Sequence, residues 1–236
     1  MLTSLRALRT DPSKPPYFTP MTSTVLIAGP TGLIGSTALQ QALADARFSR
    51  VIALTRRSLG ITHPKLSEWS APGGDLLSAL RPERVDAVLC CLGTTIGKEG
   101  GDQQKFIHVD KDLVVGIGRW AKAQGVPVFS VVSAIGADAA SRVFYNRVKG
   151  EMEQELKAMV IPTLHIFHPS ILTGPRQEKR VGERIGIAVA TVLATVLPAK
   201  YKPMPHDVLA AALLRSCFVA QGGTHSYAMI RELAGR

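Results

Sequence analysis

The sequence predicts a doubly wound α/β fold, a parallel sheet covered by helices on both faces, and three observations carry that reading. Short runs of β-branched residues are apolar at every position, as strands buried on both faces must be. Stretches of helical length and period separate them, so successive strands run parallel through right-handed crossovers. Finally, 236 residues with 46% hydrophobic content suffice for one large buried core.

In chain order, strands are expected at Val25–Ala28, Val51–Thr55, Val85–Cys91, Val128–Val132 and Leu164–Phe167, with another before Asp75. Helices are expected at Leu33–Ala46, Gln103–Gln124 and Tyr145–Met159, each followed by Gly, Pro or a turn. The last third changes character. A Gly- and Arg-rich loop (174–184) precedes the apolar run Ile185–Leu197, a Pro-rich turn, a helix from about His206 to Phe218 and a short strand near Ser226–Ile230. We read 21–236 as a single domain in which 174–236 forms a small substrate-side cap. Residues 1–20, with four prolines and no apolar stretch, read as a disordered extension or a mis-assigned start, with an organellar transit peptide, and so an organellar matrix, as the lesser alternative.

Composition excludes several classes. Three cysteines, Cys90, Cys91 and Cys217, offer neither a C-x-x-C pair nor an even disulfide framework, which points to a reducing compartment, the cytoplasm first, and against a zinc scaffold. The run Ile185–Leu197 ends at Pro198 and falls short of the roughly 20 residues of a spanning helix. It is expected to cover the sheet, with a homodimer contact or a peripheral membrane contact as lesser alternatives. The net charge of +10 suits phosphate-bearing ligands, but no nucleic-acid signature accompanies it and nucleic acid is disfavoured.

The first expected strand runs into Gly29-Pro-Thr31-Gly32-Leu33-Ile34-Gly35 and a helix. Glycines so spaced make a tight turn, admit a pyrophosphate against the backbone and let the helix pack on the strand, its first amides facing the anion. No Gly-Lys-Ser/Thr follows, so this is not a P-loop. Where an Asp or Glu would hold the ribose 2′-hydroxyl of NAD, the second strand ends in Arg56-Arg57. Guanidinium forks there suit a 2′-phosphate, favouring NADP(H) over NAD(H). Asp75 is placed either to accept from an adenine amine or to cap a helix. After the fourth strand, Leu92-Gly93-Thr94 lets the backbone lie against the cofactor.

Ser133 closes the fifth strand, and Tyr145 and Lys149 follow at helical i, i+4 spacing, on one face. A free phenol, near pKa 10, needs about 4 kcal/mol of differential stabilisation to titrate three units lower. A neighbouring lysine and an oxidised nicotinamide ring can supply it. These residues fit a carbonyl/alcohol oxidoreductase: Tyr145 as acid and base, Lys149 as its modulator and a ribose ligand, Ser133 as substrate orienter.

Gly29–Gly35, Cys91–Lys98, Ser133–Asp138, Phe144–Glu151 and His168–Glu178 together resemble the atypical short-chain dehydrogenase/reductases, and within them the Tat-interacting-protein-like oxidoreductases. The resemblance implies bound NADP(H), the Ser133, Tyr145, Lys149 site, and cofactor contacts from His168, Pro169 and Ile171. Two positions depart from the family pattern: Asp110 stands where many relatives carry an Asn of a proton relay, and Ala134 replaces bulkier Ser-rich variants. Because the branch includes redox-responsive regulators, an NADPH-sensing scaffold is the alternative function. A nucleotide-sugar epimerase or dehydratase is disfavoured by the short chain remaining after His168.

Overall fold

The computed structural model describes residues 23–71, 73–175 and 201–236. The expectations for 1–20 and for Ile185–Leu197 lie outside those residues.

Seven strands form one parallel sheet in the order β3-β2-β1-β4-β5-β6-β9: β1 Ser23–Ala28, β2 Phe48–Thr55, β3 Leu66–Ser70, β4 Ala87–Cys90, β5 Val128–Val132, β6 Thr163–Phe167 and β9 Gly223–His225. A two-residue pair, β7 Leu172–Thr173 with β8 Met204–Pro205, lies apart. The helices are α1 Leu33–Ala44, α2 Gln103–Ile107, α3 Leu113–Ala123, α4 Phe144–Ala158, α5 His206–Ser216 and α6 Tyr227–Leu233. Strand order reverses at β1, whose neighbours are β2 and β4. A ligand crevice opens at such a switch point, beyond the carboxyl ends of the strands.

The side-chain alternation of a strand divides the core in two. Leu26, Ile52, Val88 and Phe129 pack on one face with Val114, Ile117, Met152 and Leu156. Val25, Ile27, Val51 and Leu89 pack on the other with Ile34, Ala38, Leu209 and Leu213. Both faces are therefore dry, which is why these strands read as unbroken apolar runs.

Three sequence expectations change. The single helix Gln103–Gln124 is interrupted by a π turn at His108–Asp112, where the Leu113 amide donates to the His108 carbonyl five residues back. The strand expected near Ser226–Ile230 is instead the helix α6, and the strand precedes it at Gly223–His225. Buried Tyr227 and Ile230 stand three apart, a helical spacing that so short a segment barely displays. Lastly, the described part of the expected cap, 201–236, belongs to the main body. There β9 pairs with β6, and Leu209 and Leu213 of α5 share the second core with Ile34 and Ala38 of α1.

Candidate active site

The glycine turn is built by close approach. Gly29 has φ of +79°, a conformation open to glycine at little cost, and a Cβ there would meet the Cys91 carbonyl oxygen at 3.0 Å. A Cβ on Gly35 would sit 2.0 Å from the Gly29 carbonyl oxygen, so α1 can rest on the turn only without one. Gly32 is the N-cap of α1, no side chain caps the helix, and no acidic residue occupies its first turn. The amides of Leu33, Ile34 and Gly35 are thus left for an external acceptor, with the positive end of the helix dipole behind them. Thr31 is exposed beside them.

This turn faces the loop after β4. The Cys91 amide donates to the Ala28 carbonyl at 2.9 Å, bringing Cys91 and Leu92 alongside Gly29, with Gly93 and Thr94 following in the chain. On the other side, Arg56 and Arg57 are exposed directly after β2. Their turn is pinned by Thr55, whose hydroxyl donates to the Arg57 carbonyl at 2.8 Å. Asp75 takes the capping role of the two that its position allowed: its carboxylate accepts from the Leu77 amide at 3.2 Å, at the start of the 3-10 turn Leu76–Ala79.

Tyr145 and Lys149 lie one turn apart in α4. The Lys149 ammonium is 2.7 Å from Asp110 Oδ1, with both side chains buried, while Asp110 Oδ2 accepts from the Thr94 amide at 2.8 Å. One carboxylate therefore joins α4 to the loop after β4. Burial works against the Lys149 charge, yet Asp110 and Tyr145 outweigh it and hold the ammonium above its ordinary pKa. Burial also pushes the Tyr145 phenol upward; Lys149 opposes that rise and Asp110 adds to it. The lowering expected from Lys149 together with an oxidised nicotinamide ring is not met by the protein alone, because burial, with Asp110 adding to it, outweighs the lysine. Phe106 packs on Tyr145, ring centroids 5.7 Å apart.

Ser133 belongs to a second buried cluster. Its hydroxyl donates to Glu153 Oε1 at 2.5 Å, and His168 Nε2 reaches the same oxygen at 2.7 Å. Burial raises the Glu153 pKa, but His168 and Ser133 overcome it and keep this carboxyl below its ordinary value, hence ionised. Among the described residues, no hydrogen bond joins Ser133 to Tyr145. His168 and Pro169 follow β6, and the Ile135 amide donates to the Pro169 carbonyl at 3.1 Å, which ties the two strand ends together. Ile171 is exposed; its carbonyl accepts from the Met204 amide at 2.8 Å.

Sequence reasoning missed Glu153, although its spacing, four residues beyond Lys149 and eight beyond Tyr145, repeats along one helix face. It noticed Asp110 as a departure without placing it in the site. Cys90 is buried and Cys91 and Cys217 are half-buried; desolvation pushes Cys90 and Cys217 up to about 12 and raises Cys91 as well.

No family model matches the chain. It is 33% identical to mitochondrial FMP52 of Eremothecium gossypii over 70% of this chain and 73% of that protein. To HTATIP2 of Rattus norvegicus it is 35% identical over 67% of this chain and 66% of that protein. The chain belongs to the atypical short-chain dehydrogenase/reductases. Solved structures of similar fold include MoeE5 in complex with UDP-glucose and NAD, with TM-score 0.63, 15% identity and coverage of 90% of this chain and 81% of that one. Another is the UDP-glucose 4-epimerase of Thermotoga maritima, at TM-score 0.64, 14% identity and coverage of 90% and 82%. Within this family, the open amides of α1 and the glycine-only contacts of the turn fit a dinucleotide pyrophosphate. No helix among the described residues is long and apolar enough to cross a membrane.

Proposed function

We propose that the protein is an NADP(H)-dependent oxidoreductase acting on a carbonyl or alcohol substrate. The observation that carries this reading is the buried Lys149 ammonium, one helical turn from Tyr145 and linked through Asp110 to the Thr94 amide beside the glycine turn. Gly29, Gly32 and Gly35 would hold the pyrophosphate, Arg56 and Arg57 a 2′-phosphate, and Lys149 the nicotinamide ribose. When bound, such a cofactor supplies hydride. Tyr145 moves the proton at its Oη, Lys149 orients the ribose and biases the phenol, and Ser133, with its proton donated to Glu153, offers its oxygen lone pairs to the site. Burial of Lys149 and Asp110 excludes water and strengthens their attraction.

FMP52 relatives carry the word mitochondrial in their names, which supports an organellar setting as the alternative to the cytoplasm. The deciding experiment identifies by mass spectrometry the cofactor that copurifies and then follows NADPH oxidation across a panel of aldehydes and ketones. Turnover supports the enzyme. Tight NADPH binding without turnover instead supports the sensing scaffold.

A further inference from the structure

Asp110 deserves a role of its own because its position is costly. Its side chain is 1% exposed and it lies within a π turn against α4, and a carboxylate in such surroundings persists only if paired and hydrogen-bonded. Both requirements are met by groups of the site, Lys149 Nζ at 2.7 Å and the Thr94 amide at 2.8 Å. Two opposite charges so placed present Tyr145 with a nearly neutral pair instead of a bare cation. Other titratable groups near the pair do not restore the missing positive charge. On β4, Cys90 is a buried thiol pushed up to about 12. Beyond Asp110, Lys111 is paired with Glu151 at 3.0 Å. The face of α2 toward Tyr145 presents Phe106, and Ser133 of the β5 end is committed to Glu153.

We propose that Asp110 is a positioning residue that holds Lys149 and the Thr94 loop together and, by compensating the lysine charge, keeps Tyr145 a protonated phenol at neutral pH, so that the site is set for carbonyl reduction. This rests on the oxidoreductase reading. In the reductive step the carbonyl carbon takes a hydride, two electrons with it, from the reduced nicotinamide, which is left oxidised. The carbonyl oxygen takes the Tyr145 proton as the Oη–H bond breaks, and solvent reprotonates the phenolate. The reverse step needs the phenolate first and therefore alkaline solution.

The test reads the phenol directly in the free protein. Tyr145 is one of four tyrosines, so its ultraviolet phenolate absorption is taken as the difference between the native protein and Tyr145→Phe. The expected native midpoint is at or above that of free tyrosine. Asp110→Asn keeps an acceptor for the Thr94 amide and removes only the charge; its Tyr145 midpoint is expected to fall by one pH unit or more, while Asp110→Glu restores the native value. A midpoint that is unchanged or raised in Asp110→Asn overturns the proposal. Should that variant not fold, the native titration decides alone, since a native midpoint near neutrality overturns it. With substrate, reduction is expected at neutral pH and alcohol oxidation only in alkaline solution, both limbs moving acidward in Asp110→Asn. A phenol that titrates as expected in a protein that never oxidises NADPH would leave the role of Asp110 standing and defeat the oxidoreductase reading.

Discussion

The glycine turn at the end of β1 and the acid–base cluster on α4 lie at the same end of one sheet but are made of different material. The turn is backbone: its shape comes from contacts too close for any Cβ, and the groups it leaves open are the amides at the start of α1. The cluster is side chain: two buried carboxylates, Asp110 and Glu153, hold Lys149, Ser133 and His168 in place by charge. A backbone site should fail by sterics and be indifferent to charge, whereas a side-chain site should fail by charge and tolerate small changes of shape.

The largest effect expected from that contrast is at Gly35. Gly35→Ala places a methyl 2.0 Å from the Gly29 carbonyl oxygen, and the backbone of α1 must retreat. A loss of more than about 3 kcal/mol in urea unfolding is expected, as for other overpacked contacts. A variant of native stability would show that the turn is looser than its geometry.

Acid should leave the backbone turn alone and act through a buried side chain outside both regions. His165 is buried, accepts at Nδ1 from His225 Nε2 at 2.8 Å and places Nε2 against the Val219 carbonyl. Burial, with the His225 charge adding to it, lowers its pKa from 6.5 to about 4. The unfolded chain then binds more protons between those values, so this stabilisation is complete above pH 6.5 and is lost as pH falls toward 4. About 3 kcal/mol is at stake, to be read as unfolding free energy against pH. His165→Gln should flatten the slope, and an unchanged slope would remove His165 from the account.

Tyr145→Phe separates the two regions by function. It deletes only the transferable proton, so kcat should drop at least about 100-fold, the low end for a lost general acid, while NADPH affinity stays within a few-fold. A parallel loss of affinity would mean that the helix and the turn are not independent. The smallest effect belongs to Arg56 and Arg57. NADPH should bind about tenfold tighter than NADH, about 1.4 kcal/mol, and replacing both arginines with Ala should erase the preference. Equal affinities in the native protein would sink the 2′-phosphate assignment.

The same contrast explains what the sequence made legible. Strands buried on both faces leave continuous apolar runs, and a backbone site leaves its glycines at fixed spacing, so the sheet and the turn were readable from Val25 to Gly35 and onward. Tyr145 and Lys149 were readable because helical spacing is local. Asp110 and Glu153 needed three-dimensional information: Asp110 meets Lys149 across 39 positions of chain, and Glu153 meets Ser133 across 20. At the C-terminal edge a seven-residue helix is too short to distinguish its period from that of a strand, and α6 was misread accordingly.

The π turn ahead of α3 works as a phase shifter. A wider turn spends one extra residue on the same rise, and one residue is worth about 100° of rotation in a helix. Phe106 before the turn and Asp110 within it thereby both reach α4, while Val114 and Ile117 after it point into the core beneath. A one-residue deletion in that turn would unwind the offset and swing the two stretches out of register. The charge beside the phenol and the packing under the sheet would then compete for a single helix face, so length at this point is under as much constraint as any residue identity.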